Sequence, residues 1–328
     1  MSNGIFIGRF QPAHKGHIQV LADAASRVDK LLILIGSANQ CRSIKNPWTY
    51  KERRNYLFTK LREAKVENYE IKPLNDYKYA DSQWITDVRI TAEDTFYQKT
   101  APIMFGHMKE GNNYLTWFPD WKFENVNSEY TINATQVRAR MFAENNSDMP
   151  QSVRDDKAFY DKEAQLFANY PFPETLNFNC GDAILECQGH ILLILRKRAP
   201  GAGTWALPGG FRDRRDKTLV DCALRELEEE TNVRVPSKVL RGSIVKTELF
   251  DDIGRSFGIP RNTMAVYMRV NPNPDGTLPR ANGADDAVEA KWVTLTDALN
   301  KYDLYDDHKD IISKMTGVMP LPAFVNIK

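Results

Sequence analysis

Apolar and polar positions along the chain change rhythm twice. Residues 4–7 form an apolar run of strand length. Ile18, Leu21, Ala25 and Val28 then recur at helical spacing, and 31–35 is apolar throughout. Strand, amphipathic helix and buried strand make a βαβ unit, which predicts a parallel sheet with helices on its faces. Further strands are expected near 69–74 and 102–105, with helices over 50–64 and 81–97. The rhythm breaks between residues 148 and 176, a polar, charged stretch closed by Pro171 and Pro173. Within it, 155–168 predicts a helix that packs back on the first domain. Beyond it, 178–186 and 190–196 read as two strands around a Gln188-Gly189 turn. Strand-like runs follow at 239–247, 264–270 and 290–293, so the second half predicts mixed α/β with antiparallel strands. The expected fold class is α/β in two domains, 1–168 and 169–328, with no internal repeat and no low-complexity tract.

Composition narrows the function classes. The 328 residues carry 44 Lys+Arg against 43 Asp+Glu, so no global field draws the chain to nucleic acid or to a membrane. Any anion must be held by a local cluster. The four cysteines show no CxxC spacing, which points to a reducing compartment. The N-terminus enters a strand directly, without a secretory pattern, and the longest apolar runs are far too short to span a bilayer. A soluble cytoplasmic protein is expected.

One such cluster follows the first strand. "GRFQPAHKGH" (8–17) places Arg9, His14, Lys15 and His17 between a strand and a helix that begins close to His17. Amides at a helix N-terminus bind phosphate readily, and the basic side chains add donors suited to its oxygens. Gly8 and Gly16 let backbone approach a ligand closely. The chemistry implied is stabilisation of a polyphosphate whose charge redistributes during phosphoryl or nucleotidyl transfer.

This string resembles the (H/T)xGH signature of the nucleotidyltransferase superfamily, in its nicotinamide mononucleotide adenylyltransferase subgroup. Further segments resemble that subgroup in order: "NPWTYKERR" (46–54), "YADSQWITDVR" (79–89), "GHMKEGNNYLTWFPDW" (106–121) and "TINATQVR" (131–138), the last with Asn133 at a position more often Ser or Gly. The resemblance covers residues 4 to about 142. It implies a Rossmann-like domain in which His14, His17 and Arg138 are catalytic. Gly8, Arg9, Phe10, Arg53 and Thr135 would bind the nucleotide, and Trp84, with Asp81 a helical turn before it, would face the nicotinamide ring. Read without the resemblance, Trp84 is a core residue, and Arg53, beside Arg54, is a solvated helix charge. The implied reaction is attack of a mononucleotide phosphate oxygen on the α-phosphorus of ATP. Mg²⁺ would be held mainly by phosphates and water, and no carboxylate cluster is evident in this half.

A second cluster lies in "ALPGGFRDRRDKTLVDCALRELEEETNV" (206–233). Thr218 and Asp221 predict a capping-box start. Glu226, Glu229 and Glu230 stand at i, i+3 and i+4, so they share a helical face. Clustered carboxylates repel unless a hard cation sits among them, and oxygen ligands point to Mg²⁺ or Mn²⁺. Arg225 is placed to orient one of them. The segment resembles the Nudix box, Gx5Ex7REUxEExGU, which would make Glu226, Glu229 and Glu230 metal ligands or activators of water. It departs twice. Asn232 replaces a glycine, and Asn is the next-best residue for a left-handed C-cap. The first Glu is missing, with Asp216 or Lys217 in its region. Flanking segments look like the ADP-ribose pyrophosphatase branch, which would set Arg255 and Ser256 near the diphosphate or ribose. Trp205 either stacks on a base or packs in the core.

The reading is therefore a bifunctional enzyme of NAD metabolism. Its partners are small molecules (ATP, nicotinamide mononucleotide and ADP-ribose) with Mg²⁺ as cofactor, Mn²⁺ serving as well in the Nudix site. No nucleic acid or membrane partner is expected, and a homo-oligomer stays open. Two rivals remain: a different phosphorylated acceptor in the first domain, or a Nudix half that only senses ADP-ribose or NAD.

Overall fold

A computed structural model describes residues 2–97, 101–106, 116–130 and 132–323. Residues 107–115 of the 106–121 segment, and Thr131, lie outside the described residues. The chain divides into two compact units, the first running to Pro150 and the second spanning Gln151–Leu321.

In the first unit β1 (Asn3–Gly8), α1 (Lys15–Ser26), β2 (Lys30–Ile35), α2 (Tyr50–Glu63), β3 (Tyr69–Pro73), α3 (Asp81–Phe96), β4 (Ile103–Gly106), β5 (Lys122–Asn125) and α4 (Ala134–Ala143) follow in order. The sheet runs β3-β2-β1-β4-β5, parallel throughout. Side chains alternate across a strand, so the apolar runs feed two cores. Phe6, Leu31, Ile33 and Ile35 meet Val20 and Leu21 of α1 and Leu57 and Leu61 of α2. Ile5, Leu32 and Leu34 meet Val88, Ala92 and Phe96 of α3 on the other face. Burial on both faces is why 31–35 is apolar without alternation. The order reverses between β1 and β4, and open sheets of this type bind ligands outside the carboxyl ends of the strands at such a switch point. The 8–17 string leaves β1 there.

The second unit begins with α5 (Gln151–Leu166). This corrects the expectation that the helix belongs to the first domain. Its inner face is read by the second unit: Asp156 accepts the Gly201 N–H at 2.8 Å, Glu163 pairs with Arg261, and the Tyr160 hydroxyl lies 3.2 Å from that of Tyr305. Its amphipathic pattern fixes a buried face but not the core that face joins. Then come β6 (Phe178–Cys187), β7 (His190–Arg196), β8 (Trp205–Ala206), β9 (Gly209–Phe211), α6 (Leu219–Thr231), α7 (Ser237–Gly242), β10 (Ile244–Phe250), β11 (Arg261–Arg269), β12 (Ala287–Thr294), α8 (Leu295–Lys301) and α9 (His308–Thr316). The sheet order is β10-β11-β6-β7-β12, with β6 and β11 parallel and the other neighbours antiparallel. The strand expected from 239 starts at Ile244. Pro236, at φ −60°, caps the one-and-a-half turns of α7 instead, and Leu240 is buried.

α6 lies on this sheet through Ala223, Leu224 and Leu227, against Ala183, Leu185 and Met268. Thr218 and Asp221 form the expected capping box, and Asn232 closes the helix at φ 44°. Contact with β6 is closest at Gly181, where a Cβ would stand 2.6 Å from the Ala223 nitrogen and 2.6 Å from the Leu219 oxygen. Backbone on both sides leaves no side chain to yield. Gly181→Ala should cost about 1–3 kcal/mol, the usual range for overpacking, and lower the urea midpoint of the purified protein. An unchanged midpoint would show that α6 and β6 can part freely.

Candidate active sites in the two units

Chain leaving β1 folds tightly over its end. A Cβ at Gly8 would stand 2.8 Å from the Phe10 ring, so glycine lets that ring fold back and become buried. His14, in extended backbone, is the N-cap of α1. Its ring lies 3.7 Å from that of His17, centroid to centroid, and the Phe10 ring meets His17 edge-on at 5.1 Å. The His14 backbone N–H donates to Nδ1 of His17 at 3.2 Å. An imidazole whose Nδ1 accepts carries its proton, when neutral, on Nε2. His17 therefore offers an Nε2–H donor beside the helix N-terminus. Among the described residues the buried Nδ1 of His14 has no hydrogen-bond partner, and burial holds the ring's pKa below the usual histidine value.

Two buried arginines fasten this loop. Arg53, on α2 and only 3 % exposed, donates to the carbonyls of Arg9 at 2.6 Å, Gly36 at 2.7 Å and Ser37 at 3.0 Å. It is not a solvated charge, and its donors go to backbone at the ends of β1 and β2. Burial pushes its pKa down to about 10; Arg9 adds to this, against the pull of Asp76. Arg138, on α4, donates to the carbonyl of Gln11 and, at 3.2 Å, to the hydroxyl of Thr135. Burial, then Arg9, lowers its pKa as well. Arg9 is exposed, and its charge acts on both buried guanidiniums. Asn133 caps α4 through its Oδ1, which accepts the Thr135 N–H at 2.8 Å. Pattern reading passed over Gln11. Its amide donates to the Trp48 carbonyl at 2.8 Å and accepts the Trp48 N–H at 3.1 Å, locking the 46–49 loop to the 8–17 string. Asp81 is exposed in the first turn of α3. Trp84 is half-buried, edge-on to Trp117 at 5.7 Å.

In the second unit a cavity of about 650 Å³ is lined by Asp182, Arg196, Gly209, Gly210, Arg225, Glu226, Glu229, Glu230, Arg255 and His308, among others. Glu230 is buried, and its Oε2 accepts the Gly209 N–H at 2.9 Å. Burial raises its pKa to about 8, helped by Glu226 and Asp182 and opposed by that N–H and by Arg196. Burial raises Glu226 too, against the pull of Arg225. Arg225 holds Glu226 Oε1 and Glu229 Oε2, each at 2.8 Å, and forms a bidentate pair with Asp216 at 3.0 and 2.9 Å. Asp216 thus stands where the motif lacks its first Glu and braces Arg225, as an acidic residue in that region would. Arg255 lines the cavity in a buried bidentate pair with Asp307, at 3.1 and 2.9 Å. Ser256 is buried with an unpaired hydroxyl, off the cavity lining. Trp205 packs edge-on against Tyr302 at 5.3 Å.

Among the described residues no three carboxylate, imidazole or thiol groups converge on one point as a metal shell. Arg225 keeps Glu226 and Glu229 engaged. The donor set nonetheless fits a hard divalent cation: oxygen ligands only, with Asp182 across from Glu230. Glycine lets the backbone come close against these carboxylates, since a Cβ on Gly210 would stand 2.6 Å from Glu226 Oε1 and one on Gly209 would stand 2.1 Å from Asp182 Oδ1.

Residues 5–140 match the cytidylyltransferase-like family model, and residues 181–315 match the NUDIX domain model. The nicotinamide-nucleotide adenylyltransferase of Pyrococcus horikoshii is 34% identical over 145 residues, 44% of this chain and 74% of that protein. This chain belongs to the nicotinamide-nucleotide adenylyltransferase family. To its adenylyltransferase unit it adds a NUDIX unit. The same pairing occurs in a solved structure, a bifunctional NMN adenylyltransferase/ADP ribose pyrophosphatase from Francisella tularensis. That structure is 28% identical, with a TM-score of 0.85 over 96% of this chain and 98% of that one. A second structure of that enzyme, complexed with AMP and a Mn ion, is 27% identical with a TM-score of 0.85.

In the NUDIX unit the Asp216–Arg225 pair makes a measurable claim. Arg225 holds the Asp216 carboxyl below its ordinary 3.8. Stability from such a group is present above its unfolded pKa and is lost as pH falls through the folded one. Asp216→Asn should cost roughly 1.5–3 kcal/mol at neutral pH, the worth of hydrogen bonds to charged groups. The difference from wild type should close as pH falls below 3.8. Urea unfolding of both proteins across that range measures it; a gap that does not change with pH would mean the pair adds no charge-dependent stability.

Proposed function

We propose that the adenylyltransferase unit joins nicotinamide mononucleotide to the adenylyl group of ATP, giving NAD and pyrophosphate. The NUDIX unit hydrolyses ADP-ribose to AMP and ribose 5-phosphate. The observation that carries the first reading is the close, tilted His14–His17 pair at the N-terminus of α1, at the switch point, with Arg53 and Arg138 fixing the loop that bears it. A phosphate oxygen of the mononucleotide attacks the α-phosphorus; the bond to the bridging oxygen breaks, and pyrophosphate leaves with its electron pair. The chain supplies charge stabilisation rather than a covalent intermediate. Amides of the first turn of α1, His17 through Nε2–H, and Arg9 face the phosphates. Thr135, at the start of α4, contributes at a second helix N-terminus. Trp84 and Trp117 offer the nicotinamide ring an aromatic edge and face. Trp84 is thus both a packed residue and a ligand wall. Arg53 acts by holding the loop.

In the NUDIX unit Glu226, Glu229 and Glu230 hold Mg²⁺ or Mn²⁺, which when bound polarises the diphosphate and acidifies water. Glu230, oriented by the Gly209 N–H beside the other glutamates, takes the proton of the attacking water. Arg225 keeps Glu226 and Glu229 in place before the ion arrives and shares them afterwards. Among the described residues Cys180, Cys187 and Cys222 are in no disulfide, which suits a reducing compartment such as the cytoplasm.

His17→Ala should cut NAD synthesis by roughly 10²-fold, typical of losing a preorganised donor, and leave ADP-ribose hydrolysis unchanged. Chromatographic assay of both products from one preparation checks this; near-wild-type synthesis would remove His17 from the chemistry. Glu230→Gln keeps size and removes the base. It should abolish hydrolysis with either metal while NAD synthesis persists. Should the wild-type protein bind ADP-ribose in calorimetry yet release no AMP with Mg²⁺ or Mn²⁺, the NUDIX unit is a sensor and not a hydrolase.

A further inference from the structure

His308 begins α9, nearly eighty residues beyond the three-glutamate helix, and no motif singled it out. It is 6% exposed yet lines the NUDIX cavity with Asp182, Glu230 and Arg255. Its Nδ1 accepts the Leu207 backbone N–H at 2.9 Å. That amide can only donate, so Nδ1 must accept, and the neutral ring carries its proton on Nε2. Leu207 lies two residues before Gly209, whose N–H holds Glu230. One end of His308 therefore grips the loop that positions the proposed base. The Tyr305 ring walls the imidazole edge-on at 5.7 Å.

Its other end makes no hydrogen bond within the described residues. With Nδ1 taken by Leu207, Nε2 is the ring nitrogen through which the cavity-lining His308 can donate. Four charged groups bear on the ring. Asp182 and Asp307 favour a second proton, and Arg255 and Arg196 oppose it. Asp307 is already committed to Arg255 through two hydrogen bonds. Burial is the largest influence and lowers the pKa. A second proton would also set N–H against N–H at Leu207. His308 is therefore a donor without being a proton shuttle.

We propose that His308 is a fixed neutral hydrogen-bond donor to a phosphate oxygen of the diphosphate substrate in the NUDIX cavity. This rests on the hydrolase reading above and adds to it a contact from outside the glutamate helix. A donor-only atom suits an acceptor-only oxygen, and the cavity's Arg196 and Arg255 make anionic oxygens the favoured acceptors. Because the ring stays neutral, it adds no charge to compete with a cation held by the glutamates. Its fixed orientation means that no reorganisation is needed when substrate arrives.

Two substitutions separate this role from packing. His308→Asn keeps an acceptor near the Nδ1 position for Leu207 and removes the far donor. His308→Gln reaches the Nε2 position with its amide N–H. With the full-length protein, metal-free ADP-ribose titration by calorimetry should show affinity about tenfold weaker in His308→Asn. With Mn²⁺, kcat/KM for hydrolysis should fall roughly 10²-fold. The melting temperature and NAD synthesis should stay near wild type. His308→Gln should recover much of both losses. In ¹⁵N-histidine-labelled wild-type protein, the His308 signals should show a protonated Nε2 that shifts on adding ADP-ribose. If His308→Asn binds and hydrolyses as wild type does, or the Nε2 signal stays still, His308 is only a structural residue and the proposal falls. If the wild-type protein neither binds nor hydrolyses ADP-ribose, the hydrolase reading itself falls, and the proposal with it.

Discussion

A guanidinium taken out of water must find oxygen acceptors, and both sites are organised by that demand. In the first unit the acceptors are backbone carbonyls. Parallel strands end in loops whose carbonyls have lost their ladder partners, and Arg53 collects those of Arg9, Gly36 and Ser37 on one planar group. Arg138 does the same for Gln11 from α4. Neither charge is cancelled by a carboxylate in these contacts, so the loop between them keeps a positive field, which burial intensifies. A lysine, with three donors around a point charge, could not join the ends of two strands in this way. In the second unit the acceptors are carboxylates. Arg225 gathers Asp216, Glu226 and Glu229 on its donors, and Arg255 takes Asp307. Here the field between the arginines is left to Glu230 and Asp182.

The same chemistry explains what could be read from the sequence. A helix N-terminus and a three-carboxylate helix face are local objects, and "GRFQPAHKGH" and "RELEEE" each contain their whole geometry within a few residues. The parallel sheet was legible for a like reason: a run such as 31–35, apolar on both faces, has few other places to go. Asn232 in the left-handed region, at φ 44°, followed from its place at the motif's glycine together with its residue type. Asp216 was visible only as an ambiguity between two positions, because the loop before α6 is longer than the motif. Its partner Arg225 settled which of the two reaches back.

What stayed hidden depends on partners far apart in the chain. Gln11 bonds Trp48, Arg255 bonds Asp307, and His308 bonds Leu207. No periodicity encodes such pairs, since each residue alone reads as an ordinary polar side chain. Arg53 shows how charge alone misleads. Charge alone gave it to solvent, yet it is buried and donates to the carbonyls of Arg9, Gly36 and Ser37. The helix at Gln151–Leu166 makes the point for domain boundaries. Amphipathicity established that it buries a face; Asp156, Tyr160 and Glu163 find their partners only in Gly201, Tyr305 and Arg261.

The two units also differ in how they handle charge before a ligand arrives. The first site is positive and preorganised, with its donors held by backbone, so a polyphosphate meets fixed dipoles and little has to move. The second stores mutually repelling carboxylates and holds two of them on Arg225. A cation entering there must compete with that guanidinium for Glu226 and Glu229, while Glu230, tied only to a backbone N–H, yields most readily. Binding at such a site is therefore an exchange of one cation for another. In the proposed site Asp216 would be the partner left to Arg225 once the glutamates are drawn away. The acidic residue before the helix, displaced in sequence from the motif's usual place, would thereby serve the proposed metal site without having to touch the metal.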